Sequence, residues 1–175
     1  MAVYEAMELE RIMERATFGG GCFWKIEDRF GTIPGVLKTS VGYMGGHFPN
    51  PCYLDVVSRI TGHAEVAQVE FDPESVSYST LVDRFWAMHD PTSWYRQGAD
   101  RGEQYRSVIF YHTPEQRQIS ERSKQQLDQL GIYEKPIVTQ IVAASEYWLA
   151  TDDHQQYLLK KRQETKIREG YTAED

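Results

Sequence analysis

The chain has 175 residues, a formal charge of −7 at pH 7 and an apolar fraction of 41%, and this length predicts a single domain over residues 1–175. Its eleven tyrosines, seven phenylalanines and four tryptophans are too many for a disordered chain. The negative charge, with no cluster of Lys and Arg, argues against nucleic-acid or anionic-membrane partners.

The N-terminal segment, MAVYEAMELERIMER, mixes acids and bases and lacks the apolar stretch of a secretory signal. No apolar run in the sequence reaches membrane-spanning length. We therefore expect a soluble, cytoplasmic protein. The spacing of Met7, Ile12 and Met13 among good helix formers predicts a short amphipathic helix over about 5–15, which makes residues 1–15 a helical extension.

The segment ATFGGGCFW, residues 16–24, combines a strand-like start, three glycines and a cysteine that two aromatic residues follow. Apolar residues then recur at helical spacing. This pattern predicts a helix that begins near Cys22 and that Pro34-Gly35 interrupts. One of the two cysteines is therefore placed at the N-terminus of a helix.

Alternating apolar positions predict strands after this helix. The segment VLKTSVGY, residues 36–43, places four side chains on one face: Leu37, Thr39, Val41 and Tyr43. The segment YLDVVSR, residues 53–59, is also strand-like. In HAEVAQVEFD, residues 63–72, four side chains share a face: Glu65, Ala67, Val69 and Phe71. Glu65 is therefore expected among core residues.

The second half of the chain alternates between helices and strands. The strongest predicted helix covers 78–89, with Ser77 as its N-cap. A long polar segment, 90–105, follows, and such loops often carry function. The other predicted elements are a strand at 107–112, a helix from Thr113-Pro114 to Gly131, a strand at 137–144, a helix within 151–162 and a polar tail at 162–175. This mixture predicts a two-layer α/β (α+β) sandwich with a mixed sheet.

Cys22 is a candidate nucleophile because of its place in this pattern. At a helix N-terminus the macrodipole is positive and free N–H groups point outward. This placement predicts a lowered pKa and a larger thiolate fraction for Cys22. The preceding glycines leave space for a substrate to approach the sulfur. The alternative is that Gly19–Gly21 are only a turn and Cys22 is a small buried apolar side chain.

Several further motifs accompany GGGCFW in order along the chain: GYMGG at 42–46, NPCY at 50–53, TGHAE at 61–65, HDP at 89–91, RQGADRGEQYRS at 96–107 and DDHQQYL at 152–158. Together they closely resemble the peptide methionine sulfoxide reductase A family, over residues 17 to about 158. The resemblance implies an α/β sandwich with a reactive cysteine at a helix N-terminus. It also implies reduction of the S epimer of methionine sulfoxide, free or in proteins, which repairs oxidative damage.

The family pattern, carried over residue by residue, assigns the groups that act on the sulfoxide. Cys22 becomes the nucleophile and is converted to a sulfenic acid. Phe23 and Trp24 become the apolar pocket for the S-methyl group, and Glu65 becomes the acid that acts on the oxygen. A methyl sulfoxide has a soft sulfur, a polarised oxygen and a small apolar cap, and these residue types match its three features.

The same resemblance assigns the surroundings of the sulfoxide oxygen. Tyr53 and Tyr105 donate hydrogen bonds to it, and Asp100 helps to position the substrate. Without the family pattern, these are ordinary half-buried tyrosines and a solvated turn residue. Tyr43 fits the core face of its strand, and is either a packing residue or a minor member of the substrate site.

Glu65 and Cys22 are expected to influence each other. A free glutamate with a pKa of about 4.3 is a poor acid at neutral pH, and burial raises that value. An ionised Glu65 beside Cys22 opposes thiolate formation. The pair is therefore predicted to titrate together, sharing a proton that moves toward the oxygen as the sulfur attacks. The alternative for Glu65 is a buried carboxylate paired with a cation.

Two other classes of function stay open at this point. Five histidines, His47, His63, His89, His112 and His154, leave room for a thiol hydrolase or acyltransferase with a Cys–His pair. A non-enzymatic binder of oxidised methionine is possible if Cys22 is inert. The sequence has no metal-ligand spacing, phosphate loop or dinucleotide fingerprint, so we expect no bound cofactor and no metal.

The chain departs from the family pattern near its end. Many relatives have further cysteines in a glycine-rich tail that resolve the oxidised nucleophile, whereas here EGYTAED has Thr172 in that place. Cys52 is then the remaining candidate for internal resolution. In an extended segment, a Tyr53 that faces the site turns Cys52 away from it. We therefore expect direct reduction by an external thiol of the thioredoxin, glutaredoxin or glutathione type, with Cys52 as the open alternative.

Overall fold

The computed structural model describes residues 13–170 of the chain. Its strands are β1 (Glu14–Gly19), β2 (Val36–Met44), β3 (Ala64–Phe71), β4 (Arg96–Gln97), β5 (Asp100–Arg101), β6 (Val108–Tyr111), β7 (Gln140–Ala143) and β8 (Trp148–Leu149). Its α-helices are α1 (Phe23–Gly31), α2 (Tyr53–Val57), α3 (Tyr78–Trp86), α4 (Pro114–Gln129) and α5 (Tyr157–Arg168). Short 3-10 helices cover Glu103–Tyr105 and Asp152–His154.

Six of the strands form one sheet in the order β7-β6-β1-β3-β2-β8. The β6–β7 pair is parallel and the other pairs are antiparallel. β4 and β5 form a separate two-stranded hairpin. The sheet is therefore mixed, and the predicted α/β sandwich is confirmed.

The main core lies between the sheet and the helices that cover one face of it. Phe18 of β1 packs its ring 4.8 Å from that of Phe30 on α1 and 5.0 Å from that of Phe85 on α3. All three side chains are buried. Such rings bury large apolar areas, and this burial fixes α1 against the central strands. The glycine turn that joins β1 to α1 is therefore held between two elements that the core fixes in place.

Capping residues begin two of the helices as the sequence predicts. Ser77 accepts a hydrogen bond from the N–H of Thr80 at 3.1 Å, and Thr113 accepts one from the N–H of Gln116 at 3.1 Å. Each cap satisfies a donor in the first helical turn. No helix within residues 13–170 is long and apolar enough to cross a membrane.

The predicted strand at 53–59 is wrong, because its first residues form α2. The chain turns into this helix at Cys52, whose N–H donates to the Asp55 carboxylate at 2.8 Å. This bond is half of a capping box, which starts a helix at a place where the apolar residues also fit a strand. The local cap overrides the strand-like composition.

The face predicted for β2 is correct only in part. Val41 and Tyr43 are buried, but Leu37 is 56% exposed. A register shift between Val36 and Lys38 in the pairing with β3 breaks the alternation there. An inserted residue of this kind moves the following side chains to the other face.

The two chain ends differ from their predicted structure where they are described. The predicted N-terminal helix lies mostly outside the described residues, and its last two residues, Glu14 and Arg15, belong to β1. The predicted tail over 162–175 begins inside α5, which continues to Arg168. In both places the adjoining element extends further than the sequence pattern suggests.

Candidate active site

The glycine turn after β1 brings Cys22 to the start of α1. Gly21 has a φ of +96°, and a side chain there would place its Cβ 2.9 Å from the Cβ of Gln97. The Gly21 N–H donates to the Tyr105 carbonyl oxygen at 3.1 Å. Cys22 is partly buried and immediately precedes Phe23, the first residue of α1. Only glycine combines this backbone conformation with this close approach.

Glu65 projects from β3 toward the same turn. It is directly opposite Tyr43 of β2 in the sheet and is 2% exposed. Its Oε1 accepts a hydrogen bond from the Phe23 N–H at 3.2 Å. Its Oε2 is buried and has no hydrogen-bond partner among residues 13–170. A buried polar atom without a partner is rare in proteins, so Oε2 is a candidate contact for substrate.

Burial raises the pKa of Glu65 into the range where a carboxyl group can donate a proton at neutral pH. Desolvation raises the pKa of Glu65 to about 8, while the Phe23 N–H opposes this shift and the Asp100 charge adds to it. Most Glu65 side chains are then protonated at pH 7. Because Oε1 accepts the Phe23 hydrogen bond, the proton belongs on Oε2, the oxygen without a partner among residues 13–170.

The predicted lowering of the Cys22 pKa is wrong. Burial, followed by the charge of Glu65, raises the pKa of Cys22 to about 11. The N–H groups of Trp24 and Lys25, in the first turn of α1, lower it by less. Desolvation thus outweighs the helix N-terminus. At pH 7 these pKa values give each group of the pair its own proton, which differs from the single shared proton that the sequence analysis predicts.

Three tyrosines surround Glu65. Burial, followed by the charge of Glu65, raises the pKa of Tyr105 to about 12 and also raises the pKa values of Tyr53 and Tyr43. Their hydroxyls therefore stay protonated and can donate hydrogen bonds. The Tyr43 hydroxyl is buried and has no hydrogen-bond partner among residues 13–170.

An aromatic cluster, here called the Phe23–Trp24 pocket because the sequence predicts the substrate's methyl group there, begins at the residue after the thiol. The Phe23 ring is buried, with its centroid 5.7 Å from that of Tyr43 and 6.3 Å from that of Trp24. Tyr53, at the start of α2, and Trp24 pack against the same cluster. Aromatic walls of this kind suit a small apolar group such as a methyl.

His154 is a member of this pocket that the sequence analysis does not identify. Its Nδ1 accepts a hydrogen bond from the Trp24 indole N–H at 3.2 Å, and its ring centroid lies 4.7 Å from that of Tyr53. Tyr157 stacks on the Trp24 indole, with centroids 3.9 Å apart. The motif DDHQQYL contains both residues. The sequence feature that could have identified His154 is Trp24, because a half-buried indole N–H needs a hydrogen-bond acceptor nearby.

Two predicted site residues, Asp100 and Cys52, lie outside the aromatic cluster. Asp100 lies on the β4–β5 hairpin, and its charge raises the pKa values of both Cys22 and Glu65. Cys52 is exposed at the start of α2. Asp100 therefore belongs to the electrostatics of the site, whereas Cys52 lies on the surface.

The histidines do not form the pair that a thiol hydrolase needs. No histidine hydrogen-bonds Cys22 in the part of the chain from 13 to 170. The His89 ring lies against Gly20 of the glycine turn, but its ring nitrogens bond to the Phe85 carbonyl and the Ser107 hydroxyl. Burial lowers the pKa of His89 to about 4. The titratable group that most affects Cys22 is therefore the Glu65 carboxyl group and not a histidine, which fits a thiol oxidoreductase better than a thiol hydrolase.

Known proteins have similar sequences and share the fold. The sequence matches the family described as Peptide methionine sulfoxide reductase over residues 14–173. Peptide methionine sulfoxide reductase MsrA 1 of Nostoc sp. is 59% identical over 152 residues, which cover 87% of this chain and 93% of that protein. This chain belongs to the peptide methionine sulfoxide reductase family.

Two solved structures share its fold. Methionine sulfoxide reductase A of Corynebacterium diphtheriae is 40% identical with a TM-score of 0.77, over 86% of this chain and 76% of that one. Reduced Mxr1 from Saccharomyces cerevisiae is 30% identical with a TM-score of 0.79, over 87% of this chain and 88% of that one. The family resemblance seen in the sequence is confirmed.

Proposed function

We propose that this chain reduces methionine (S)-sulfoxide, free or in oxidised proteins, with Cys22 as the nucleophile and Glu65 as the acid. One observation carries the proposal: the unpartnered Glu65 Oε2 lies in a buried site with the Cys22 thiol and the Phe23–Trp24 pocket. A sulfoxide offers an oxygen to protonate, a sulfur to attack and a methyl group to bury. The three parts of the site match these three features.

The reaction transfers one oxygen atom and two electrons. Glu65 donates its proton to the sulfoxide oxygen while the Cys22 sulfur attacks the substrate sulfur. The thiol proton passes to the Glu65 carboxylate, which returns to its starting state. The bond between the two sulfurs and the substrate S–O bond then break as a new S–O bond forms on Cys22, so that the substrate leaves as a sulfide, reduced by two electrons, and Cys22 is oxidised to a sulfenic acid.

Hydrogen bonds to the oxygen lower the barrier to this transfer. Tyr53 and Tyr105 keep their hydroxyl protons because their pKa values are raised, and so they remain donors as negative charge develops on the oxygen. Tyr43 is a further substrate-binding residue in the proposal, since its hydroxyl is buried without a partner among residues 13–170. The Asp100 charge helps to orient the substrate.

The catalytic cycle closes with a thiol reductant. Two external thiols reduce the Cys22 sulfenic acid to the thiol, and form a disulfide and water. Mxr1 from Saccharomyces cerevisiae has been solved in complex with Trx2, but at 21% identity that likeness establishes the fold alone. We infer a reductant of the thioredoxin, glutaredoxin or glutathione type, with Cys52 as the open internal alternative.

The test separates the two epimers of methionine sulfoxide by chiral chromatography after reaction with the wild-type chain and a small monothiol. A fixed thiol, methyl pocket and oxygen donors define three substituents of a chiral sulfur, so the S epimer is consumed and the R epimer is left. Equal consumption of both epimers contradicts this geometry.

A further inference from the structure

Glu27 of α1 is a buried carboxylate that the proposed reaction does not use. It is 3% exposed. Its Oε1 accepts a hydrogen bond from the Gln156 backbone N–H at 2.7 Å. Its Oε2 accepts from the Gln156 side-chain amide at 3.0 Å and from the Thr39 hydroxyl at 3.1 Å. A buried carboxyl group needs such partners, and two of the three come from a residue far along the chain.

Gln156 is held in an unusual conformation by these bonds. Its φ of 48° and ψ of 38° lie in the left-handed region, which residues other than glycine rarely adopt. Its side chain also donates to the Thr39 carbonyl oxygen at 3.0 Å. Such a backbone persists only where its surroundings determine it. Glu27 is the group that binds both its main chain and its side chain.

The residues around Gln156, here called the 154–157 turn, touch the substrate pocket at Trp24. His154 accepts the hydrogen bond of the Trp24 indole, and Tyr157 stacks on the other part of the same indole at 14° between planes. Both contacts come from one short segment. The position of Trp24 therefore depends on the path of the 154–157 turn.

Packing alone does not fix this side of Trp24. A cavity of about 220 Å³ lies along the indole, and Glu27, Gln156 and Tyr157 are among its lining residues. An aromatic side chain next to such a space can shift into it when its polar contacts weaken. The His154 hydrogen bond and the Tyr157 stack, both from the 154–157 turn, are thus the contacts that oppose this shift.

We propose that Glu27 is a positioning residue for the S-methyl pocket: through Gln156 it fixes the 154–157 turn, and through that turn the plane of the Trp24 indole. This inference rests on the proposed function, because it assigns Trp24 to the pocket. The pocket then favours a methyl group over larger alkyl groups. Glu27 influences which sulfoxides react, although it does not touch them.

The experiment compares methionine sulfoxide with ethionine sulfoxide, whose S-alkyl group is one methylene larger. Glu27→Gln keeps the size of the side chain but replaces one acceptor oxygen with an NH₂ donor, so at least one of its three acceptor bonds is lost and a donor then faces a donor. We expect the methyl-over-ethyl preference in kcat/KM to fall by about three- to tenfold, within the range that one methylene produces in an apolar pocket. The loss is expected mainly in KM for the methyl substrate.

Asp28→Asn is the matched control. Asp28 is the next residue of α1, and its carboxylate pairs with Arg162 of α5 at 2.7 Å without contacting Gln156. Its variant loses a carboxylate charge on the same helix and a contact to the same C-terminal helix. We expect its methyl-over-ethyl preference to stay within about twofold of wild type, the size of change typical of surface substitutions.

Two further measurements keep the inference open to refutation. If Glu27→Gln does not fold, Gln156→Gly retains the left-handed backbone, loses the side-chain bonds and is expected to lower the preference by a smaller factor. Amide hydrogen exchange at residues 154–157 is expected to rise in both variants, independently of turnover. Unchanged preference and unchanged exchange overturn the positioning role. Failure of wild type and Asp28→Asn to reduce either sulfoxide instead overturns the proposed function.

Discussion

The two cysteines of this chain occupy similar places in the backbone and very different surroundings. Cys22 immediately precedes α1, and Cys52 immediately precedes α2. Cys22 is partly buried beside Glu65, whereas Cys52 is exposed and bonded through its N–H to Asp55. The position before a helix therefore does not distinguish them.

Burial and the neighbouring acid separate the two thiols. The raised pKa of Cys22 follows from desolvation and the charge of Glu65, which outweigh the N–H groups of α1. A thiol that stays protonated is protected from oxidants and alkylating agents until a substrate arrives. In the proposed mechanism, the reactivity of Cys22 comes from the sulfoxide and the Glu65 proton together.

The largest expected effect separates the two cysteines directly. Cys22→Ser should abolish sulfoxide reduction, because a hydroxyl cannot replace sulfur as the oxygen acceptor. Cys52→Ser should turn over like wild type with a small monothiol. Dimedone should then trap Cys22 after one equivalent of substrate in the absence of reductant, as seen by mass spectrometry.

The opposite result would identify Cys52 as a resolving residue. In that result, a disulfide between Cys22 and Cys52 forms within the turnover time. The Cys52→Ser variant also loses its thioredoxin-dependent activity. A disulfide needs Cα atoms within about 7 Å. Its formation would therefore show that Cys52 comes within this distance of Cys22 during turnover.

The next effect tests the acid. Glu65→Gln should slow single-turnover reduction by about 10²- to 10⁴-fold, the usual contribution of a positioned acid, while the apparent affinity for substrate changes little. The glutamine can still accept the Phe23 N–H, so the fold of the turn is retained. A rate within about twofold of wild type at every pH would remove Glu65 from the mechanism.

The sequence predicts the parts of the site that depend on short-range patterns. Alternation in β3 places Glu65 toward the core, and the glycines before Cys22 place the thiol before α1. Each of these rules acts over a few residues. The wrong strand at α2 shows the limit of such patterns, because one hydrogen bond between Cys52 and Asp55 decides between two compatible structures.

Features that depend on distant parts of the chain are not predicted. The bond between Trp24 and His154 joins residues 130 positions apart, and that between Glu27 and Gln156 joins residues 129 positions apart. The pKa of Cys22 depends on burial by the whole fold, and so the local helix argument gives the wrong direction. Long-range packing supplies the outer contacts of a site whose proposed reacting groups, Cys22 and Glu65, are already candidates in the sequence.

A smaller effect concerns stability as a function of pH. The folded-state pKa of Glu65 is raised to about 8 from an ordinary value of 4.5. Its contribution to stability is therefore full below about pH 4.5 and is lost as the pH rises through about 8. Glu65→Gln lacks this loss. Between pH 5 and 9, we expect the free energy of unfolding of wild type to fall relative to the variant by on the order of 3 kcal/mol.

Urea unfolding at several pH values measures this difference. Glu70→Gln is the matched control, since Glu70 lies on the same strand but pairs with Arg15 at the surface, at 3.9 Å. Its curve is expected to run parallel to that of wild type. Parallel curves for wild type and Glu65→Gln would show that Glu65 ionises in the fold as it does in the unfolded chain.

The smallest expected effect is on the alkylation rate of Cys22. Glu65→Gln should raise this rate, although it lowers the rate of sulfoxide reduction. In a Cys52→Ser background Cys22 is the only thiol, and at pH 9 a pKa of about 11 leaves about 1% of it as thiolate. Glu65→Gln removes the negative charge that opposes ionisation, so iodoacetamide should modify Cys22 severalfold faster than in the parent. The same substitution slows sulfoxide reduction. A variant that is slower in both reactions would indicate a disturbed turn rather than a lost acid, because only the acid role predicts that alkylation and reduction change in opposite directions.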